Sequence, residues 1–207
     1  MIAVIDYGVG NLFSLLSSLN YVGLDTKLTN DVEEIKSAKG IILPGVGAFR
    51  DAVSNLEKYG LKDILIDEAK NGKPFLGICL GMQMLFEKSY EYGEFEGLGL
   101  INGSVEEIKK YIPENSDLKI PHMGWNNLKI NNDKILKNVN VENEEYVYYV
   151  HSYFAKTDMK NIVAYSEYGT KIPGIVKNKN VYGMQFHPEK SGDTGLKLLK
   201  NWGELVK

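Results

Sequence analysis

Cys79 is the one cysteine among 207 residues, and it stands in Gly77-Ile78-Cys79-Leu80-Gly81 directly after the apolar run Pro74-Phe75-Leu76. That spacing is the thiol form of the nucleophile elbow G-x-S-x-G, in which a strand turns sharply into a helix. Small residues two positions either side let the backbone bend tightly and hold the sulfur at the crest. A helix over Leu80 to Phe86 is expected to aim its unpaired amides and positive end at that sulfur, which suits a nucleophile. A base follows much later, in Gln185-Phe186-His187-Pro188-Glu189. A residue before proline is pushed out of the helical region, and in an extended chain residues i and i+2 project to one side. His187 and Glu189 should therefore point together, the carboxylate orienting the imidazole. Cysteine, histidine and an acidic orienter are the parts of a thiol triad. A lone buried cysteine is usually a small hydrophobe and a histidine before proline is usually structural; their conjunction favours chemistry.

The elements needed to position these groups are legible as strand–helix alternation. Ile2 to Ile5 reads as a buried strand, Tyr7-Gly8-Val9-Gly10 as a turn, and Asn11 as the N-cap of a helix striped by Leu12, Leu15, Leu16, Leu19 and Val22. Strands at Leu24 to Leu28, Gly40 to Leu43 and Phe75 to Ile78 alternate with helices at Val32 to Ile35, Ala48 to Leu56 and Leu61 to Ala69. This pattern predicts an α/β fold with a mostly parallel central sheet flanked by helices. The second half differs. Strand-like pieces near Val105 to Ile108, Leu128 to Ile130, Tyr146 to Val150, Ile162 to Tyr165 and Val181 to Met184 lack helices between them, and predict antiparallel hairpins added to one side of the sheet. A helix over Thr194 to Val206 closes the chain. Asn131 to Glu145 reads as a surface excursion, and residues 1–207 as a single domain.

Pro44-Gly45-Val46-Gly47 follows a strand and opens a helix. Its glycines permit unusual backbone conformations, so a peptide N–H there could stabilise negative charge on a carbonyl oxygen attacked by Cys79. Taken alone the motif is a common turn.

Composition limits the alternatives. Hydrophobic residues at 43% and charged residues at 25% are ordinary for a globular protein in water. The formal net charge of −3 offers no nucleic-acid surface, and Lys109, Lys110, Lys129, Lys134 and Lys137 are scattered as on a solvated face. One cysteine cannot form an intrachain disulfide. The N-terminus reaches Asp6 without a basic flank or a long apolar core, and no apolar run approaches the ~18 residues that span a bilayer. The expectation is a cytoplasmic protein with no membrane contact, no cofactor and no metal site.

The match to a known family runs nearly end to end. It rests on Asp6-Tyr7-Gly8-Val9-Gly10-Asn11, Leu43 to Phe49, Leu76 to Phe86, Pro121-His122-Met123-Gly124-Trp125-Asn126, Val150-His151-Ser152-Tyr153 and Gln185 to Ser191. On these segments the chain resembles the class I, triad-type glutamine amidotransferases. Within them, the PHMGWN segment and Glu189-Lys190-Ser191 narrow the likeness to the glutaminase subunits of imidazole glycerol phosphate synthases. The resemblance implies a triad of Cys79, His187 and Glu189, and an oxyanion hole from a peptide near Val46 and the amide of Leu80. It implies glutamine contacts at Gly47, Gln83, Glu91, Ser152 and Tyr153. It also implies a (β/α)8-barrel cyclase partner that receives ammonia in histidine biosynthesis, met through Met123, Trp125, Tyr148 and Lys190. Trp125 reads equally as core. His122 and His151 read as structural hydrogen-bonders outside the catalysis. The rival readings are a paralogous glutaminase feeding a sugar-modifying enzyme, a stand-alone cysteine hydrolase, and a non-enzymatic interaction module.

Overall fold

The computed structural model describes residues 1–8, 12–131, 133–139 and 145–206. The expected cap Asn11 lies outside them, with Val9 and Gly10 of the expected turn. Four short strands open the fold, all but the second apolar and buried: β1 (Ile2–Ile5), β2 (Thr26–Thr29), β3 (Gly40–Leu43) and β4 (Phe75–Ile78). They pair in parallel in the order β2-β1-β3-β4. Helices α1 (Phe13–Tyr21), α2 (Val32–Ser37), α3 (Phe49–Lys58) and α4 (Lys62–Lys70) connect them.

A side-chain period of two lets one strand feed two cores. Ile2 and Val4 join a core with Leu15 and Leu19 of α1, while Ala3 and Ile5 join the opposite core with Ile35, Phe49 and Leu65. With both faces covered, a strand reads as an unbroken apolar run, and each large side chain removed from water contributes about 1.5–3 kcal/mol.

After β4 come α5 (Leu80–Met84), β5 (Phe86–Ser89), β6 (Phe95–Glu96) and β7 (Ile101–Glu107). Next are β8 (His122–Asn127), β9 (Lys129–Ile130), β10 (Tyr146–His151), β11 (Tyr153–Lys156), β12 (Ile162–Glu167), β13 (Lys171–Asn178) and β14 (Val181–Met184). The last helix, α6 (Gly192–Leu205), packs Leu198, Leu199 and Trp202 into the first core.

The hairpins are only partly added to the main sheet. Strand β14 is parallel to β4, and β13, β12 and β9 continue the sheet antiparallel. The other strands form two further sheets, β10-β8 and β11-β7-β5-β6. The helix expected to reach Phe86 stops at Met84, because tertiary partners take its last carbonyls. Leu98 N–H donates to Met84 O at 2.8 Å, and the amides of Leu100 and Ile101 donate to Leu85 O at 2.8 and 3.0 Å. Among the described residues no helix is long and apolar enough to cross a membrane.

Candidate active site

The site is assembled where two neighbouring parallel strands end. Met184 of β14 pairs with Ile78 of β4, and Cys79 N–H donates to Met184 O at 2.7 Å. Cys79 follows β4 directly, and His187 lies three residues beyond the end of β14. Cys79 has φ 55 and ψ −112, the sharp bend expected of an elbow. The packing around the bend excludes side chains: a Cβ on Gly81 would stand 1.8 Å from Leu43 O, and one on Gly77 2.5 Å from Gly81 O.

His187 Nδ1 and Glu189 Oε1 are 2.8 Å apart, with both side chains buried. The reason differs from the expected extended run. His187 is extended at φ −93 and ψ 99, but Pro188–Lys190 is a 3-10 turn that brings Glu189 back beneath the ring. Ser191 Oγ fastens this turn, donating to His187 O at 2.6 Å and accepting from Tyr148 N–H at 3.0 Å. His187 N–H in turn donates to Tyr148 O at 3.0 Å. Burial works against a charged His187, but hydrogen bonds to Cys79 and Glu189 and the charges of both outweigh it and raise its pKa to about 10. The protonated imidazole is thereby favoured.

A cavity of about 330 Å³ opens above these groups. Val46, Gly47, Cys79, Leu80, Gln83, Glu91, Ser152, Tyr153 and His187 all line it, so the expected nucleophile, base, oxyanion turn and ligand contacts come together. Glu189 stands behind His187. Tyr92, Val150 and His151 also line the cavity and were not expected there; Tyr92, with its exposed ring and φ of 55, carries no sequence signal. A larger cavity of about 600 Å³ lies at the opposite end of the strands, near Pro74, Asn180 and Trp202, away from any nucleophile.

One of the expected oxyanion donors is already engaged. Leu80 N–H donates to Gly45 O at 3.3 Å, and Tyr7 donates its hydroxyl to Pro44 O at 2.7 Å. Both carbonyls of the Pro44-Gly45 pair are thereby held by hydrogen bonds. Gly45 cannot be larger, since a Cβ would meet Gly81 N and Tyr7 Oη at 2.8 Å. Burial, then the neighbouring Cys79 charge, raises the Tyr7 pKa well above the usual phenol range, so Tyr7 remains a donor. The cavity's polar groups are also oriented. Glu91 Oε2 accepts from Phe49 N–H at 2.7 Å, leaving Oε1 for a ligand; burial and the Asp51 charge raise its pKa, opposed by the Phe49 bond.

Met123, Trp125 and Lys190 are exposed outside the cavity. Trp125 is 56% exposed, which removes the core reading. It lies across from Tyr148 in the β8–β10 pair, with ring centroids 6.0 Å apart and edge to face. Tyr148 carries the backbone that fastens the His187 turn, so this aromatic pair adjoins the triad through two hydrogen bonds.

The chain is similar to known proteins. The family model for Glutamine amidotransferase class-I matches residues 3–204. The imidazole glycerol phosphate synthase subunit HisH of Caldanaerobacter subterraneus subsp. tengcongensis is 51% identical, with 100% of this chain and 99% of that one covered. The protein of the same name from Oceanobacillus iheyensis is 47% identical, with both chains covered completely. Among solved structures, a glutamine amidotransferase superposes with a TM-score of 0.76 at 19% identity, covering 100% of this chain and 99% of that one. PurLQS from Thermotoga maritima gives 0.74 at 21%, covering 100% and 98%. At these identities the solved structures speak for the fold alone.

Proposed function

The chain belongs to the class I glutamine amidotransferases, and on that premise we propose that it is the glutaminase subunit of an imidazole glycerol phosphate synthase. The observation that carries the reading is the buried His187, bonded to Glu189 and lining one cavity with Cys79, Gln83 and Glu91. The names of the full-length relatives support the choice of synthase.

The reaction is glutamine plus water to glutamate plus ammonia. Cys79 sulfur adds to the side-chain carboxamide carbon of glutamine, and the carbonyl oxygen becomes an oxyanion. Imidazolium His187 gives its proton to the leaving nitrogen, the C–N bond breaks, and a glutamyl thioester remains. Neutral His187 then takes a proton from water, whose oxygen displaces the sulfur. Glu189 holds the ring and balances its charge throughout. Leu80 and Val46 serve the oxyanion after one rearrangement: rotating the Gly45–Val46 peptide withdraws the Gly45 carbonyl from Leu80 N–H and turns Val46 N–H toward the same point. Hydrolysis is accordingly slow until that peptide turns, and we assign that turning to partner binding.

Ammonia at neutral pH is mostly ammonium in water, so its delivery calls for a protein interior. The partner is a (β/α)8-barrel cyclase docking over Met123, Trp125, Tyr148 and Lys190, and it contributes the phosphorylated substrate's site. The test is glutamate release by the chain alone, with cyclase, and with cyclase plus its nucleotide substrate. Release rising along that series supports the reading. Equal release in all three indicates a stand-alone hydrolase. Cys79→Ala should abolish glutamine-dependent synthesis and retain synthesis from added ammonium salts.

A further inference from the structure

Two buried histidines remain outside the triad. His122 of β8 and His151 of β10 are 2% and 6% exposed and lie opposite each other in the ladder, with His122 Nδ1 and His151 Nε2 3.0 Å apart. His122 is sandwiched between Tyr149 and Tyr168, at centroid distances of 4.5 and 4.0 Å.

The groups at the two ends of this pair leave one arrangement of protons. At the inner end His151 Nδ1 is 2.7 Å from Tyr153 O. A carbonyl only accepts, so His151 Nδ1 carries the hydrogen and its Nε2 accepts. At the outer end Asn126 cannot be flipped. Its Oδ1 accepts from Asn127 N–H at 2.9 Å, and its Nδ2 donates to Glu167 O at 3.0 Å. Asn126 Nδ2 therefore faces His122 Nε2, at 3.4 Å, as a donor. His122 must then accept at Nε2 and donate from Nδ1 to His151. The bonds run one way: Asn126, His122, His151, Tyr153 carbonyl.

The same carbonyl orients Gln83. Gln83 Nε2 donates to Tyr153 O at 2.9 Å and to Gln185 Oε1 at 3.1 Å. Both amide hydrogens are engaged, so Oε1 is the atom Gln83 offers to a ligand in the cavity. A ligand group meeting it must be a donor, as the ammonium and carboxamide nitrogens of glutamine are. Resting on the glutaminase reading, we propose that His122 and His151 are positioning residues, a neutral relay from the exposed β8 strand that fixes the Tyr153 carbonyl and the Gln83 carboxamide for glutamine binding.

Both imidazoles are held neutral, as the relay requires. Burial lowers the His122 pKa to about 4. Burial first, then the His122 charge and the His187 charge, lower that of His151 to about 3 against the opposing Tyr153 bond. Charging either ring would place two donors against one another and break the direction of the chain.

The experiment has two arms on the full chain. In long-range proton–nitrogen spectra at pH 7, His122 and His151 should both be neutral with the hydrogen on Nδ1. A hydrogen on Nε2 of either ring overturns the relay. In glutamate-release kinetics with the cyclase bound, His122→Leu should raise KM for glutamine about tenfold, the loss of roughly one hydrogen bond, with kcat within about twofold. His122→Asn, which keeps a donor at the Nδ1 position, should restore KM. An unchanged KM in His122→Leu beside a working wild-type enzyme removes the relay's role alone. A wild-type complex that releases no glutamate removes the glutaminase reading and the relay's role with it.

Discussion

The imidazole of His187 has two neighbours that both favour its protonated form, and this makes the proposed triad a determinant of stability as well as of chemistry. Its pKa rises from 6.5 to about 10 on folding, so its contribution is complete below pH 6.5 and is lost as pH rises toward 10. His122 and His151 have the opposite sign. Their folded values of about 4 and 3 lie below 6.5, so the unfolded chain binds more protons on the acid side. Their contribution is complete above pH 6.5 and is lost as pH falls toward 4 and 3. Urea midpoints across pH should therefore peak near 6.5 and decline both ways. Cys79→Ala should flatten the alkaline decline, since the sulfur is one of the two groups raising His187. An alkaline limb unchanged in Cys79→Ala would place the His187 proton elsewhere. At this scale the triad was legible because each member sits in a short motif. The His122–His151 relay was not: its members are 29 residues apart, and its direction depends on Asn126 and the Tyr153 carbonyl.

Among the elements, the oxyanion turn is the one held in a state that cannot yet serve its expected role. Tyr7, just after β1, grips Pro44 O, while Leu80 N–H at the start of α5 grips Gly45 O. Fixing the Pro44 carbonyl confines rearrangement to the next peptide and favours the resting form. Tyr7→Phe removes one buried hydrogen bond, about 1 kcal/mol. Partner-free glutamate release should rise severalfold, and stimulation by the cyclase should shrink in proportion. Lower release in both states would mean that Tyr7 supports the active turn instead. Sequence reasoning located this turn but not the bonds that hold it, because Tyr7 and Pro44 are 37 residues apart. It also missed β13, whose Pro173 and Gly174 read as breakers. Pro173 is tolerated beside a register irregularity in the β12 ladder. Gly174 is needed because a Cβ there would meet Tyr149 Oη at 2.6 Å. The overlong helix after Cys79 has the matching cause: distant amides, from Leu98 to Ile101, decided where α5 stops.

Across the whole molecule, the parallel half places the proposed nucleophile and the later antiparallel half supplies the proposed base, the cavity wall and the exposed aromatic face. The alternation of the first half was open to sequence reading because strands buried on both faces are uninterrupted apolar runs. The division of later strands among three sheets was not, since period-two patterns do not say which strand a segment will pair with. Exposed Trp125, with half-buried Tyr148 beside it, is the expected anchor of the cyclase. Trp125→Ala should weaken assembly by about 2 kcal/mol, roughly thirtyfold in Kd, measured by titration calorimetry, while Cys79 keeps its reactivity toward a glutamine-like electrophile. Unchanged affinity would move the interface off this face. The most direct test of the central claim is to acid-quench the turning-over complex and map its peptides by mass spectrometry. A hydroxylamine-sensitive glutamyl adduct on the peptide carrying Cys79 is the expected result. Glutamate release that persists undiminished in Cys79→Ala, with no such adduct in the wild type, would contradict it.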